Sequence, residues 1–203
     1  LETVSKLSLV AKLKGYISLL KLRLSSLVVM SAFFGYLLAD GNLGSLVFLK
    51  LILGGILITG ASNGFNQIIE VKTDGLMSRT SSRPLPSKVL NNFEALVFCS
   101  LSGVLGLYLL ADINFNSFIL GLLAMVTYTS IYTPLKKITP FAVFIGAIPG
   151  SIPPLVGYVA VTNSFGLEPG ILFIVQFFWQ FPHFWTLAWK LDDDYKKAGF
   201  RLL

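Results

Sequence analysis

The pattern of hydrophobic and polar positions divides the chain into six long apolar runs separated by short polar segments. The runs cover Leu24–Ala39, Leu46–Ile69, Phe93–Ala111, Phe115–Thr133, Phe141–Val161 and Gly170–Trp189. Each approaches or reaches the ~20 residues that a helix needs to cross about 30 Å of hydrocarbon. Because lipid cannot satisfy free backbone N–H and C=O groups, the pattern predicts an all-α, polytopic bundle of six transmembrane helices.

The composition supports a chain embedded in lipid. Hydrophobic residues make up 54% of the 203 residues and charged residues only 13%, with a mean hydropathy of +0.75. Soluble domains carry about 25% charged residues, so this chain has too little charge to cover a surface that faces water. The predicted partner is therefore a lipid bilayer and not a nucleic acid. The single cysteine, Cys99, excludes an internal disulfide and a cysteine-based metal cluster.

Basic residues alternate between the connections. They occupy the N-terminal segment and the segments after the second, fourth and sixth runs, whereas the other three connections contain almost none. The positive-inside rule then places the N-terminus in the cytoplasm. The predicted organisation is a single membrane domain over 1–203: an amphipathic cytoplasmic segment (1–23), six transmembrane helices (24–190) and a cytoplasmic loop (191–203).

A polar stripe begins at the end of the second run and continues beyond it. Asn66, Glu70 and Asp74 are spaced i, i+4 and i+8, so a helix would carry them on one face. Carboxylate and amide oxygens suit Mg²⁺, which commonly bridges carboxylates to substrate phosphates. Arg79 and Arg83 follow within nine residues of Asp74, and guanidinium groups suit phosphate oxygens. The stripe indicates a diphosphate pocket; the alternative is a solvated loop with incidental charge.

A second acidic cluster follows the sixth run. Asp192, Asp193 and Asp194 lie on the same predicted side of the membrane as Asp74. Two acidic clusters on one side could each hold a Mg²⁺ ion, with a diphosphate between them. Taken alone, three aspartates beside lysines are also typical of a solvated helix end.

Several segments resemble the UbiA-type intramembrane prenyltransferases, in particular their haem O synthase branch. The stretch "NQIIEVKTDGLMSRTSSRPL" is similar to that branch's first signature and matches it at Asn66, Glu70, Asp74, Met77, Arg79, Thr80, Arg83, Pro84 and Leu85. Further similar segments are "LLKLRLSSLVV", "YTPLKKITP", "IGAIPGSIPPLVGY", "WQFPHFW" and "DYKKAGFRLL". Leu22, Phe181 and Arg201 stand where the family usually has proline.

The resemblance implies a fold of nine transmembrane helices around a cavity that opens laterally to lipid. Six are visible in this sequence, so we expect three more beyond its C-terminal end. A cavity walled by six of nine helices would expose Glu70 and Asp74, and we do not expect this stretch to be active alone.

The resemblance also implies a reaction: transfer of farnesyl from farnesyl diphosphate to the vinyl group of haem b, giving haem O. Catalysis would use Asn66, Glu70 and Asp74, which would bind one Mg²⁺. Asp193 and Asp194 would bind a second, although Lys196 and Ala198 stand where the wider superfamily's second acidic motif predicts aspartate. The basic residues expected to bind diphosphate are Arg79, Arg83, Lys72 and Lys136.

His183 is the only histidine and lies in the sixth run. Because ionisable residues at membrane depth are usually functional or face the bundle interior, we expect it to contact haem b, with helix packing as the alternative. Pro149, Pro153 and Pro154 are predicted to interrupt the fifth helix, either as part of a cavity wall or as a packing kink.

Two other functions are also compatible with the sequence. One is a UbiA-type enzyme that acts on an aromatic quinone precursor, and the other is a non-enzymatic transport or assembly protein of the membrane. The predicted location is a bacterial plasma membrane. A homo-oligomer or a haem A synthase partner is also compatible with the resemblance.

Overall fold

The computed structural model describes residues 9–201 as a bundle of helices. Six helices are long and apolar enough to cross a membrane, as the sequence predicts. The elements are α1 Leu9–Leu20, α2 Leu22–Leu38, α3 Leu46–Ile69, α4 Val71–Asp74, α5 Asn92–Ala111, α6 Phe115–Val126, a π-helix Thr127–Tyr132, α7 Thr133–Leu135, α8 Ala142–Thr162, α9 Leu167–Lys190 and α10 Asp192–Lys197.

Side-chain caps explain where several spans begin. Ser45 accepts a hydrogen bond from the Phe48 amide at 3.1 Å, and Asn114 accepts one from the Ser117 amide at 2.8 Å. Asn91 and Glu94 form a reciprocal capping box at the start of α5. Such caps satisfy the free amides of a first helical turn, so the polar residues between the apolar runs fix the helix starts.

Two differences from the predicted spans concern helix continuity. The first span begins earlier than predicted, because α1 and α2 together form a 30-residue stretch that is interrupted only at Lys21. Lys21 has a left-handed backbone with φ of 45°. The fourth span extends to Leu135 and contains the π-helix, which apolar periodicity does not reveal.

Small residues allow the spans to approach closely. Gly54 of α3 and Gly106 of α5 face each other, and a Cβ on either would lie 3.0–3.2 Å from the carbonyl oxygen of the other. Gly35 of α2 lies against the backbone of Pro154 in α8, and Gly157 of α8 lies against the backbone of Ala32. Without a hydrophobic driving force between helices in lipid, close packing of this kind is a main source of association.

The three prolines do not interrupt the fifth span, which corrects the prediction. The helix α8 runs from Ala142 to Thr162 with all three inside it. Pro154 has no N–H to donate to the Gly150 carbonyl four residues earlier. Gln180 of α9 donates its Nε2 to that carbonyl at 3.2 Å instead. The freed carbonyl therefore joins α8 to α9.

The last span packs on one side only. Pro169, Gln180 and Ala188 are its buried residues, and the helix contacts mainly α8. Its other faces expose large apolar and aromatic side chains, among them Phe178 and Trp185.

We expect Gly157→Ala to destabilise the protein by about 1–3 kcal/mol, because the added Cβ would overlap the Ala32 carbonyl oxygen and force α2 away from α8. Thermal unfolding in detergent measures the effect. Gly170→Ala is the matched control, because no atom lies within 4 Å of the added Cβ there. Equal melting temperatures for the two variants would contradict the close approach of α2 and α8.

Candidate active site

The polar stripe at the end of α3 is buried. Asn66 and Glu70 are each 3% exposed and Asp74 is 0% exposed. The predicted single helix through all three is wrong, because α3 ends at Ile69 and the backbone turns at Glu70 before α4 begins. The Asp74 amide still donates to the Glu70 carbonyl at 2.8 Å, so the chain stays coiled through this turn.

Each carboxylate is paired with one of the basic residues predicted to bind diphosphate. Arg83 Nη1 lies 2.7 Å from Asp74 Oδ2. Lys136 Nζ lies 2.8 Å from both oxygens of Glu70 and makes a hydrogen bond with suitable geometry to Oε2. Lys136 comes from the connection after the fourth span, 66 residues along the chain. The fold therefore gathers two acids and two cations from separate segments at one place.

One oxygen of each carboxylate accepts no hydrogen bond. Glu70 Oε1 and Asp74 Oδ1 are these two buried atoms, and of them Glu70 Oε1 still lies 2.8 Å from Lys136 Nζ. Asn66 donates from Nδ2 to Glu70 Oε2 at 3.0 Å and to Thr133 Oγ1 at 3.2 Å, so its oxygen is the atom that could bind a cation. These oxygens fit a hard cation such as Mg²⁺, which prefers oxygen ligands and keeps several waters or phosphate oxygens.

The second acidic cluster lies at the same end of the bundle. Ser78, in the loop after α4, donates from Oγ to Asp194 at 3.2 and 3.3 Å. Asp192 pairs with Lys196 at 2.5 Å, and Asp193 is exposed. Between residues 9 and 201, no three His, Cys, Asp or Glu side chains are close enough together to hold one metal ion. The two clusters are therefore neighbours, not one site.

The segment after α10, residues 198–201, contacts Lys136 of the Glu70–Lys136 pair. The Phe200 ring lies 4.8 Å from Lys136 Nζ, and the Arg201 amide donates to the Lys136 carbonyl at 2.8 Å. Phe200 also packs with Ala198 and with Met77, which lies in the loop after α4. Burial lowers the pKa of Lys136 from its ordinary value of 10.5, while the Glu70 carboxylate opposes this shift.

The other predicted residues lie outside this buried cluster. Lys72 and Arg79 are exposed, and no ion pair joins them to an acid in the described part of the chain. His183 is exposed on α9 with its ring 5.9 Å from that of Phe184. The roles predicted for Lys72, Arg79 and His183 stay predictions.

Sequence reasoning missed Lys21 and Gln67 beside the site. Lys21 Nζ lies 3.5 Å from Asn63 Oδ1, one helical turn before Asn66. Gln67 donates to the Leu19 carbonyl at 3.2 Å and so supports the chain next to the break at Lys21. A lysine inside an apolar stretch, followed by polar residues at 63 and 67 of an otherwise apolar run, is the signal that could have found them.

Comparison with known proteins identifies the family of the chain. Residues 28–203 match the UbiA prenyltransferase family. The chain belongs to the UbiA prenyltransferase family. Two curated relatives of this UbiA-family chain are named protoheme IX farnesyltransferase. The one from Cytophaga hutchinsonii is 47% identical over 195 residues, and the one from Flavobacterium psychrophilum is 48% identical over 179 residues.

The chain spans only part of these UbiA-family relatives. It covers 68% of the Cytophaga hutchinsonii protein and 60% of the Flavobacterium psychrophilum protein, which match 95% and 87% of this chain. Among solved structures, a UbiA homolog from Archaeoglobus fulgidus bound to GPP and Mg²⁺ has the same fold. Its TM-score is 0.70 at 19% identity, with 92% of this chain and 67% of that chain covered.

We expect Lys136→Met to destabilise this UbiA-family protein by about 3–5 kcal/mol, because it leaves the Glu70 carboxylate buried without its cation. Thermal unfolding in detergent checks the prediction. Lys137→Met is the control, since Lys137 is the next residue and is more exposed. Similar, small losses in both variants would show that the buried pair does not hold this end of the bundle together.

Proposed function

We propose that this UbiA-family protein transfers a farnesyl group from farnesyl diphosphate to a vinyl group of haem b, forming haem O. The observation that carries the proposal is the buried pair of acids, Glu70 and Asp74. Each lies beside a cation; Asp74 Oδ1 has no partner, and Glu70 Oε1 is contacted by the Lys136 ammonium without a hydrogen bond of suitable geometry. The names of the relatives at 47–48% identity support haem b as the acceptor.

The acids hold the metal in this proposal. Glu70 Oε1, Asp74 Oδ1 and the Asn66 amide oxygen are the atoms that would bind one Mg²⁺, and Asp194 with Asp193 would bind a second. When bound, Mg²⁺ would offset the negative charge of the diphosphate leaving group. The solved structures of the Archaeoglobus fulgidus UbiA homolog contain GPP or DMAPP together with Mg²⁺. They support a metal-bound prenyl diphosphate as the general type of ligand.

The cations hold the leaving group. Arg83 and Lys136 lie directly beside the acids, and their N–H groups can donate to diphosphate oxygens as the allylic C–O bond breaks. Lys72 in α4 and Arg79 in the loop that follows it are exposed, so they can meet the outer phosphate oxygens. The fixed positive charge stabilises the departing diphosphate more than the intact ester.

The chemistry is completed at the acceptor. The haem b vinyl group attacks the farnesyl cation at its terminal carbon, and water adds to the cation that forms next to the porphyrin. Loss of a proton from that water gives a hydroxyethylfarnesyl side chain. Aromatic rings near the site, such as those of Tyr132 and Phe184, can stabilise passing positive charge.

The membrane arrangement is part of the proposal. We propose that the N-terminus and the acidic clusters face the cytoplasm of a bacterial inner membrane, and the alternation of basic connections supports this orientation. A homo-oligomer and a haem A synthase partner stay predictions. The transporter alternative is disfavoured, because transporters bind their ions near mid-membrane whereas these acids gather at one end of the bundle.

We expect the full-length protein, incubated anaerobically with haem b, farnesyl diphosphate and Mg²⁺, to give a product heavier than haem b by one farnesyl and one hydroxyl group. Mass spectrometry measures it. Glu70→Gln and Asp74→Asn remove the metal-binding charge and should abolish the product, as should chelation of Mg²⁺. If an aromatic acid is prenylated and haem b is not, the protein acts on a quinone precursor and the proposed haem reaction is wrong.

We expect His183→Ala to weaken haem b binding by about tenfold or more, equivalent to ~1.4 kcal/mol, if its imidazole contacts the haem. Farnesyl diphosphate binding should be unchanged, because His183 makes no contact with Glu70 or Asp74. Spectroscopic haem titration and a separate diphosphate-binding measurement distinguish the two. Thr186→Ala, on the next turn of the same exposed helix, is the control. Equal loss of both ligands would indicate a packing role.

A further inference from the structure

We propose that Thr133 is a positioning residue that fixes the orientation of the Asn66 amide, so that the amide oxygen and not the nitrogen is presented to the metal. This inference rests on the proposed function, in which Asn66 supplies an oxygen ligand. Thr133 is 0% exposed and lies on a different span from Asn66, 67 residues along the chain.

The π-helix determines what the Thr133 hydroxyl can do. The Thr133 amide closes the π-helix by donating to the Tyr128 carbonyl, and Thr133 Oγ1 donates to the same carbonyl at 2.8 Å. A hydroxyl has one hydrogen. While that hydrogen is donated to Tyr128, Thr133 Oγ1 accepts from its other neighbour.

The other neighbour is Asn66. Its Nδ2 donates to Thr133 Oγ1 at 3.2 Å and to Glu70 Oε2 at 3.0 Å. The reversed amide would place its oxygen against the Glu70 carboxylate, which is repulsive, and would face the lone pairs of Thr133 Oγ1 unless the hydroxyl gave up its hydrogen bond to Tyr128. The surrounding groups therefore favour one orientation. Both N–H groups are then used, and the oxygen is the atom left for a cation.

Thr133 thereby connects a backbone irregularity to the chemistry of the site. A π-helix is rare and is often found at functional sites. Here its closing residue uses the hydroxyl to orient a side chain on a neighbouring span. Partners that orient a metal ligand typically change metal affinity by about 10- to 100-fold when they are removed.

The test measures binding of Mn²⁺ alone to the full-length protein, by the electron paramagnetic resonance signal of free Mn²⁺. Mn²⁺ accepts the same oxygen ligands as Mg²⁺. Thr133→Val removes the hydroxyl at similar volume and should weaken binding about tenfold or more. Thr133→Ser keeps the hydroxyl and should bind as the unchanged protein does. Thr129→Val is the matched control, because the Thr129 hydroxyl is also in the π-helix but donates to the Met125 carbonyl.

A double-mutant cycle with Asn66→Ala separates positioning from packing. If Thr133 acts through Asn66, Thr133→Val has no further effect on Mn²⁺ affinity once Asn66 is alanine. Full additivity, unchanged affinity in Thr133→Val, or loss in Thr133→Ser would each overturn the inference. Thr133→Ala carries the same expectation if the valine variant does not fold. Absence of Mn²⁺ binding to the unchanged protein would overturn the metal site of the proposed function itself.

Discussion

Charge compensation between two buried carboxylates and two cations is the constraint on which the polar end of this bundle depends. Taking one ion out of water costs several kcal/mol, and Lys136 beside Glu70 and Arg83 beside Asp74 offset that cost. Arg83 comes from the loop after α4, and Lys136 from the end of the fourth span. The two ion pairs therefore form only if the packing of the helices places segments that are distant in sequence side by side.

Close backbone packing brings those segments together. The glycine contacts of α3 with α5 and of α2 with α8 set the separations of the spans, and Gln180 joins α9 to α8 at the carbonyl that Pro154 leaves free. The glycine contacts are made by backbone atoms and short side chains, which have little rotational freedom to lose. The π-helix and the segment after α10 lie at the polar end, and this packing consequently holds them in defined positions beside the acids and Lys136.

The six spans and the position of the acids can be predicted from the sequence, because they depend on residues that are close together along the chain. Apolar runs of membrane length predict the six spans, and the spacing of Asn66, Glu70 and Asp74 predicts acids gathered at one end. What could not be predicted depends on tertiary contacts. The turn at Glu70, the left-handed backbone at Lys21 and the partners Lys136 and Thr133 are determined by groups on other spans. No single-sequence pattern gives those contacts, since they arise from how distant helices pack.

The hydrogen bonds around Glu70 and Asp74 favour the proposed ligand site over a purely structural ion pair. A buried polar atom without a partner is costly wherever it occurs, and Ser117 Oγ on α6 shows that one such atom alone does not define a site. Glu70 Oε1 and Asp74 Oδ1 differ because they carry negative charge and lie beside cations. Asp74 Oδ1 has no donor, and Glu70 Oε1 is contacted by the Lys136 ammonium without a hydrogen bond of suitable geometry. Together with an Asn66 amide oriented by Thr133, this is the pattern expected where a cation is to bind.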